Sequence, residues 1–352
     1  MKKHVLPGEV GDDTAWFERL TPFEQQETAR QVHFKRSHWP ELEDGAWSRR
    51  STYKYPHILP KCHLGKAFYA PVAEDIRHYV ERNDIALHTE ILNLRSSQAA
   101  CLNMLFPFRL NLNKAAVALA DVLQDAKSIA NIEFEYTGPA ESTKWLGEPP
   151  GGRRGQNRTS IDAAIWWEDT ASQKRLTFIE FKYTERELGS CGGYRSKGNK
   201  HPERCEELDI HATQPQVNCF LENGEGARTS RHYWKHLAEA GISLKRFGDV
   251  KGCPFRGPFY QLMRQYLLAA YCRSHVKDVN EVDVVVLGFR GNESLLEVSS
   301  QLKHLGSDIV GAWNSVLEGV PPLRMVHVED LASHIAIADA DWAKYLNERY
   351  GL

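Results

Sequence analysis

The sequence lacks a long apolar run and carries almost no net charge. None of its 352 residues belongs to a stretch approaching the roughly 18 consecutive apolar residues of a membrane-spanning helix. Residues 1–8 also lack the apolar region of a secretory signal peptide, so we expect a cytoplasmic protein with no membrane partner. The net charge of −2 gives no overall attraction for nucleic acid, so any such binding must rely on local basic patches.

Closely spaced cysteine pairs are absent as well. The chain has seven cysteines, and an odd number in a chain without an export signal disfavours a disulfide framework. Four of them fall in or beside one segment: Cys191, Cys205, Cys219 and Cys253. The stretches between them are residues 192–204, 206–218 and 220–252, whereas zinc ribbons separate paired cysteines by about two to four residues. Soft ligands suit Zn²⁺ or an iron–sulfur cluster, so two alternatives stay open: a bound metal centre, and free or buried thiols.

The apolar content is sufficient for a large folded core. Hydrophobic residues make up 42% and charged residues 26% of the chain, which is typical of a globular protein. A chain of this length forms one large domain or a core with a second lobe. No internal repeat or low-complexity segment interrupts it. The composition therefore indicates an ordinary globular protein but does not indicate its chemistry.

The most informative stretch is a predicted β-hairpin. Residues 160–167 and 175–183 are rich in Ile, Phe, Trp, Tyr and Thr, and the polar residues 168–174 between them predict a turn. Side chains alternate along a strand. The second strand thus places Leu176, Phe178, Glu180 and Lys182 on one face, and Thr177, Ile179, Phe181 and Tyr183 on the other. One apolar row therefore ends in two charges.

These two charges need a physical reason, because an unpaired buried charge costs several kcal/mol. One reason is a divalent metal: Asp162 on the first strand and Glu180 on the second offer the hard oxygen ligands that Mg²⁺ prefers. Lys182 would then lie beside a metal-bound water, where it could orient the nucleophile or stabilise charge on a phosphate. The alternative is an ordinary Glu–Lys ion pair at the end of a strand.

Asp162, followed after a hairpin by Glu180-Phe181-Lys182, resembles the motif of the PD-(D/E)XK nuclease superfamily. The leading proline of that motif is absent, since Ser160 and Ile161 precede Asp162. The resemblance covers residues 90 to 290 approximately, and its specific part is confined to the three charged residues. It implies an α/β fold of the restriction-endonuclease-like type, with a central mixed β-sheet flanked by helices.

The same resemblance implies an activity. It is the hydrolysis of phosphodiester bonds in DNA, dependent on Mg²⁺ or Mn²⁺, in prokaryotic or viral DNA restriction, defence or repair. Asp162, Glu180 and Lys182 would be catalytic, with the first two as metal ligands. Glu135, at the end of a predicted strand over residues 129–136, is a candidate additional acidic ligand, and Glu185 is a candidate residue behind the ligands. An exposed strand carboxylate is the alternative for Glu135.

Two further elements are candidates for substrate binding. A Gly- and Pro-rich loop over residues 147–158 contains three arginines, which bind phosphate in bidentate fashion: Arg153, Arg154 and Arg158. In the superfamily, the helix after the Glu-x-Lys strand carries a glutamine that positions the substrate strand, and the predicted helix over residues 257–274 is similar to it. It offers Gln261 or Gln265 for that role and Arg264 as a phosphate contact. A solvated loop and a plain amphipathic helix are the alternatives.

The remaining pattern predicts three parts of the chain. They are a helical N-terminal region over residues 1–90, a nuclease core over 91–290 with a cysteine-containing irregular insertion at about 184–252, and a C-terminal helical extension over 291–352. Further predicted helices span residues 73–83, a Ser-capped segment that stops near Pro107, and residues 113–126, 295–305, 309–317 and 334–350. Further predicted strands span residues 282–289 and 323–327.

Three other functions remain as alternatives at this stage. The chain could be a non-cleaving nucleic-acid-binding or regulatory protein on the same fold, although such a protein has no need of all three charged residues. It could be an RNA nuclease, because a contact to the 2′-hydroxyl leaves no mark in the sequence. It could also be a structural metal-binding module that depends on the cysteines. A protein partner or a homo-oligomer is compatible with each.

Overall fold

The computed structural model describes residues 15–48, 50–223 and 230–352. Parts of the predicted N-terminal region and of the predicted insertion therefore lie outside the described residues. In chain order the helices and strands are α1 Pro22–His38, β1 Gly45–Trp47, β2 Arg50–Tyr55, α2 Ala73–Arg82, α3 Ser97–Leu110, α4 Leu112–Ala118, α5 Ala120–Leu123, β3 Ala126–Tyr136, α6 Ala140–Trp145, β4 Ile161–Asp169, β5 Lys174–Lys182, α7 Glu203–Glu206, α8 Phe259–His275, β6 Glu281–Gly288, α9 Ile309–Ser315, β7 Arg324–His327, α10 Val328–Ala338 and α11 Ala340–Tyr350.

A five-stranded mixed sheet in the order β3-β4-β5-β6-β7 forms the centre of the fold. Strand β4 pairs antiparallel with both β3 and β5, whereas β6 pairs parallel with both β5 and β7. The predicted α/β fold with a mixed sheet flanked by helices is confirmed, and it is compatible with a restriction-endonuclease-like core. Within the described ranges, no helix combines the length and apolar character needed to cross a membrane.

The hairpin predicted around the charged residues is β4 and β5. The two strands pair antiparallel from Ala163 opposite Ile179 to Glu168 opposite Lys174. The turn closes because Oδ1 of Asp169 accepts a hydrogen bond from the backbone N–H of Gln173 at 2.8 Å.

Strand β5 is buried on both faces, and the predicted alternation along it is confirmed. Ile179 and Phe181 pack in a core that contains α2, α3, α10 and α11, whereas Leu176 and Phe178 pack in a second core with α8 and α9. Phe178 and Phe181 are fully buried on opposite sides of the sheet. Complete burial of such a side chain stabilises the fold by about 1.5–3 kcal/mol, so both helical layers hold this strand in place.

Several helix and strand predictions are confirmed. The helix predicted over residues 73–83 is α2, and it buries the predicted face of Ile76, Tyr79 and Val80. The helix after the hairpin is α8, and the apolar strand predicted over 282–289 is β6. At the C-terminus β7 lies where it was predicted, but residues 295–305 form separate 3₁₀ helices at Glu293–Leu296 and Ser300–Leu305. The single helix predicted over residues 334–350 was also wrong, because extended backbone at Asp339 separates α10 from α11.

The prediction that a helix stops near Pro107 was wrong. Ser96 caps α3 as expected, by accepting from the backbone N–H of Ala99, but the helix continues past the proline to Leu110. Proline cannot donate to the carbonyl four residues earlier, which is that of Asn103. The indole N–H of Trp342 donates to this carbonyl at 2.9 Å. A hydrogen bond from α11 therefore replaces the one that Pro107 cannot donate, so α3 continues through the proline.

The continuous helix predicted over residues 113–126 was also wrong. The chain forms the short helices α4 and α5 and then turns at Gln124 and Asp125, which have φ of 47° and 57°. Ala126 already pairs with Asp169 as the first residue of β3. The sheet pairing overrides the helical propensity of the alanines, because that propensity is only a few tenths of a kcal/mol per residue in order of magnitude.

The N-terminal region is not helical throughout. Helix α1 begins with a capping box, in which Thr21 and Glu24 each accept a hydrogen bond from the other's backbone N–H. It is followed by an unpredicted two-stranded sheet of β1 and β2. Residues on both sides of positions 90 and 290 contribute to one core. The domain boundaries at these positions stay predictions.

Candidate active site

Three acidic residues lie on adjacent strands at one end of the sheet. Phe134 pairs with Ala163, and Ala163 pairs with Ile179. The next residue along each strand towards this end is Glu135 on β3, Asp162 on β4 and Glu180 on β5. The sequence-predicted acidic residues are therefore brought together by the register of the sheet.

Asp162 takes the place of a backbone partner at the end of the hairpin. Its Oδ2 accepts a hydrogen bond from the backbone N–H of Phe181 at 2.8 Å. Burial raises the pKa of Asp162 well above its usual value, and the negative charges of Glu180 and Glu135 raise this pKa further. A buried carboxylate under such repulsion favours either a proton or a bound cation.

Glu180 and Lys182 form a buried ion pair. Their side chains are 3% and 10% exposed, and Nζ of Lys182 lies 2.7 Å from Oε1 of Glu180. Burial alone lowers the pKa of Lys182, but the charges of Glu180, Glu185 and Asp162 outweigh it, so the pKa is raised above its usual value. Lys182 is therefore a cation at neutral pH. The two charges that end the apolar row are thus partners of each other.

Helix α8 also contacts the carboxylate of Glu180, through two glutamines. Nε2 of Gln261 donates to Oε1 of Glu180 at 2.6 Å, and Nε2 of Gln265 donates to Oε2. The sequence left open which glutamine points to the site, and the structure places both there. They lie four residues apart and therefore on one face of the helix. Each oxygen of Glu180 thus has its own amide donor, which fixes the orientation of the carboxylate.

Arg264, on the same helix, lies beside different residues. Its Nε donates to the hydroxyl of Thr159 at 3.0 Å, and its Nη2 is 3.6 Å from Oε1 of Glu148. Glu148 is buried and also accepts from the backbone N–H and hydroxyl of Thr159 and from the hydroxyl of Tyr233. In the structure Arg264 therefore helps to fix the start of β4, and its role as a phosphate contact stays a prediction.

Glu135 is held in an unusual backbone conformation. Its φ is 49°, a value that is costly for a residue with a side chain and that often marks a functional position. Gln98 and Ser160 each donate to its carboxylate at 2.6 Å. Burial raises the pKa of Glu135, and the charge of Glu180 adds to this effect. Gly155 has φ of 81°, a conformation that favours glycine, and an added Cβ would lie 2.7 Å from Oε2 of Glu135.

The three arginines of the loop over residues 147–158 contact the protein itself. Nε of Arg153 lies 3.1 Å from Oδ1 of Asp84, and Nη1 of Arg154 lies 3.3 Å from Oε2 of Glu133. Nη2 of Arg158 donates to the carbonyl of Gly152 at 2.9 Å. The first two side chains fasten the loop beside the acidic residues, and their predicted contact with phosphate stays a prediction.

Glu185 lies just beyond strand β5. Its Oε2 accepts from the backbone N–H of Tyr183 at 2.8 Å, and its charge contributes to the raised pKa of Lys182. The side chain of Asn292 donates to the carbonyls of Tyr183 and Glu185 at 3.1 and 2.7 Å. This bridge keeps the chain after β5 in place. The role of Glu185 behind the metal ligands stays a prediction.

Several residues of the site were missed by the sequence reasoning. Glu148 lies in a loop and Asn292 lies beyond the sheet, and neither has a local pattern that marks it. Gln98 is a polar residue in an otherwise apolar helix, and Ser160 lies two residues before Asp162 in the chain. Their common contact, Glu135, depends on the register of the strands and could not be predicted.

The donors at this site suit a hard divalent cation. Among the described residues, no three His, Cys, Asp or Glu side chains are placed so that together they could hold one ion. Mg²⁺ binds through as few as one or two carboxylates and keeps several waters. Asp162 and Glu180 supply two such groups, and the mutual repulsion that raises the pKa of Asp162 is what a bound cation relieves. The chemistry of the donor set therefore fits Mg²⁺.

Comparison with known proteins gives one result that covers nearly the whole chain. Residues 27–351 match the model of the family described as "Restriction Endonuclease associating with ARP". No curated protein and no solved structure shows significant similarity to the chain. The matched range includes all the acidic residues, Lys182 and both glutamines of helix α8. The chain therefore belongs to this family of restriction endonucleases.

Proposed function

We propose that the chain is a metal-dependent nuclease of the PD-(D/E)XK type that hydrolyses phosphodiester bonds in DNA. The observation that carries the proposal is the meeting of the Asp162 carboxylate with the buried pair of Glu180 and Lys182 at one end of the sheet. Family membership supports a nuclease role in DNA restriction or defence, with DNA as the substrate.

Asp162 and Glu180 would hold Mg²⁺ or Mn²⁺, which when bound acts as a Lewis acid and lowers the pKa of a bound water. Lys182 contributes charge and hydrogen-bond donation. Its raised pKa keeps it protonated at neutral pH, so it is not a base; it stabilises negative charge on the phosphate or orients the attacking water. Gln261 and Gln265 keep the Glu180 carboxylate in one orientation.

The loop over residues 147–158 lies at the same end of the sheet. The contact of Arg154 with Glu133 places one of its arginines beside the acidic residues, and arginine is the residue best suited to bind phosphate oxygens. We assign Arg153, Arg154 and Arg158 to the DNA backbone in the complex. The description of the family also names association with ARP, so a protein partner belongs in the proposal.

The test is a cleavage assay with linear, circular and single-stranded DNA and with RNA, in Mg²⁺, in Mn²⁺ and in chelator. The wild type should cut DNA only with metal. Asp162→Asn and Lys182→Met should each lower the rate by on the order of 100-fold or more. Circular DNA separates internal cutting from degradation from the ends, and the assay is repeated with ARP added.

Matched controls lie on the same two strands. Glu168, on β4, pairs with Lys127 at the other end of the sheet, and Lys174, on β5, pairs with Asp278. Glu168→Gln and Lys174→Met should leave the rate unchanged. If the wild type binds DNA but cuts no substrate with either metal, with or without ARP, the chain is a non-cleaving member of the family. Cutting of RNA alone would make it an RNA nuclease.

A further inference from the structure

A second site lies at the beginning of helix α8. Four cysteines that are far apart in the sequence line one small cavity: Cys191, Cys205, Cys219 and Cys253. The other wall residues are mostly aromatic or aliphatic, with Phe255 and Met263 among them, and the lining surface is apolar. The seven cysteines of the chain are all free thiols in the structure. The insertion thus brings four sulfur atoms to one place without joining any two of them.

Backbone contacts fix the segments that carry these cysteines. The backbone N–H of Cys253 donates to the carbonyl of Cys205 at 2.7 Å, and that of Cys191 donates to the carbonyl of Arg256 at 3.2 Å. In the described residues of this segment, helical structure is limited to α7 and a few short 3₁₀ helices. The convergence of the cysteines therefore depends on contacts between loops, which by themselves give little stability.

One backbone N–H group points at a sulfur of this cavity. Sγ of Cys191 accepts from the N–H of Tyr194 at 3.5 Å. A hydrogen bond from an amide stabilises a thiolate more than a thiol. The loop at Cys191 therefore favours negative charge on this sulfur.

We propose that Cys191, Cys205, Cys219 and Cys253 are the four ligands of a thiolate-bound metal centre, either a zinc ion or an iron–sulfur cluster. Four cysteines are a complete ligand set for both. In the described part of the chain, no three His, Cys, Asp or Glu side chains are placed to hold one ion. A zinc ion would therefore have to draw the four sulfurs together, whereas each iron of a cluster takes one cysteine. The shared chemistry is the four-thiolate set, and the experiment distinguishes the two metals.

The position of this centre gives it a structural role. Tyr260 and Met263 of α8 line the cysteine cavity, while Gln261 and Gln265 of the same helix turn towards Glu180. The segment that leads to Cys191 is joined to the helix as well, because the N–H of Gly189 donates to Oε1 of Gln261 at 2.7 Å. Metal at the cysteines would therefore anchor the helix that orients the candidate catalytic carboxylate.

The test is the metal content of the full-length protein, purified without chelator and without oxygen. Zinc, iron and acid-labile sulfide are measured per chain, together with the visible absorption spectrum. One zinc and no colour identifies a zinc site, whereas iron with matching sulfide and visible absorption identifies a cluster. Metal-free wild type is then reloaded with zinc, or with iron and sulfide, and alkylated in the native state. Bound metal should protect all four cysteines from alkylation. This step of the experiment needs no variant.

The variants Cys219→Ser and Cys253→Ser should reduce the metal content per chain to background. Cys62→Ser and Cys272→Ser are the controls, one exposed and one buried away from the cavity, and they should keep the metal. The proposal is overturned if neither purified nor reloaded wild type contains zinc or iron in proportion to the chain. It is equally overturned if the double variant Cys219→Ser, Cys253→Ser keeps its metal. These measurements do not use DNA cleavage, so their outcome is independent of the proposed nuclease activity.

Discussion

The backbone N–H of Phe181 donates to Oδ2 of Asp162 at 2.8 Å, at the point where the pairing of β4 and β5 ends. The carboxylate therefore has a structural contact as well as its proposed catalytic role. Asp162→Asn keeps an oxygen for this contact and removes the charge, which makes it a better test of chemistry than Asp162→Ala. The contact also ties the position of Asp162 to the strand that carries Glu180 and Lys182.

The raised pKa of Asp162 predicts a pH dependence of stability. Without metal, the folded state keeps the proton at pH values where the unfolded chain, with a pKa of about 3.9 for Asp, has lost it. The free energy of unfolding should therefore fall as the pH rises from about 4 towards neutral. Glu135, whose pKa is also raised, adds to the same trend.

Urea unfolding over this pH range in chelator measures the effect. Asp162→Asn should flatten the curve, while Asp278→Asn, a change at an exposed residue, should not. Added Mg²⁺ should stabilise the wild type most at the higher pH, where Asp162 otherwise has to ionise without a bound metal ion beside it. Parallel curves for wild type and Asp162→Asn would contradict the assignment.

A second prediction concerns the amides that hold Glu180. Gln265→Met has nearly the same volume but removes the donor to Oε2 of this buried carboxylate. Loss of a hydrogen-bond partner to a buried group costs about 1–3 kcal/mol, and loss of such a supporting contact lowers activity by about 10–100-fold. Urea unfolding and the cleavage rate measure the two effects. Gln173→Met, in the exposed hairpin turn, is the control, and equal behaviour of both variants would show that the amide contact has no role.

A third prediction concerns Glu148, which fixes the start of β4. Glu148→Gln retains the shape but places an amide against the N–H of Thr159 and removes the charge beside Arg264. We expect destabilisation by about 1–3 kcal/mol, measured by urea unfolding, and a lower cleavage rate because Asp162 follows directly on this segment. Glu141→Gln, on an exposed residue of α6, should change neither. An unchanged free energy of unfolding in Glu148→Gln would argue against the buried contacts.

A fourth prediction concerns the attachment of the N-terminal helix. The hydroxyl of Tyr183, directly after β5, donates to Oε2 of Glu27 on α1 at 2.7 Å and accepts from Nε2 of Gln31 at 2.8 Å. Tyr183→Phe leaves the buried Glu27 with one partner fewer, so we expect a loss of about 1–3 kcal/mol in the free energy of unfolding. Tyr53→Phe, at an exposed residue, is the control. If both variants unfold alike, α1 does not depend on this contact.

The hairpin and its charges could be predicted because they are local. Alternation along β5 and the polar turn are readable from neighbouring residues, and two charges at the end of an apolar row stand out without further context. The sequence predicts Gln261 or Gln265 at the site in a substrate role, but their shared contact with Glu180 could not be predicted, because it depends on the packing of α8 on the sheet.

The incorrect predictions have the same origin. A proline such as Pro107 ends most helices. Here the carbonyl of Asn103, which the proline leaves without its usual donor, accepts a hydrogen bond from Trp342 near the opposite end of the chain. The alanines before β3 favour a helix, but the pairing of Ala126 with Asp169 lengthens the sheet instead. In both cases a contact distant in sequence outweighed a local preference, and a single sequence does not report such contacts.

The parallel pairing of β5 with β6 has a consequence for how the chain folds. Arg175 of β5 lies opposite Glu281 of β6, and the whole cysteine-containing segment and α8 must fold back between them before the pair can form. Closing so long a segment costs chain entropy before any contact repays it, and pairing of this kind slows folding. Metal at the four cysteines would shorten the effective loop, so the order of metal uptake and sheet closure would set the folding rate.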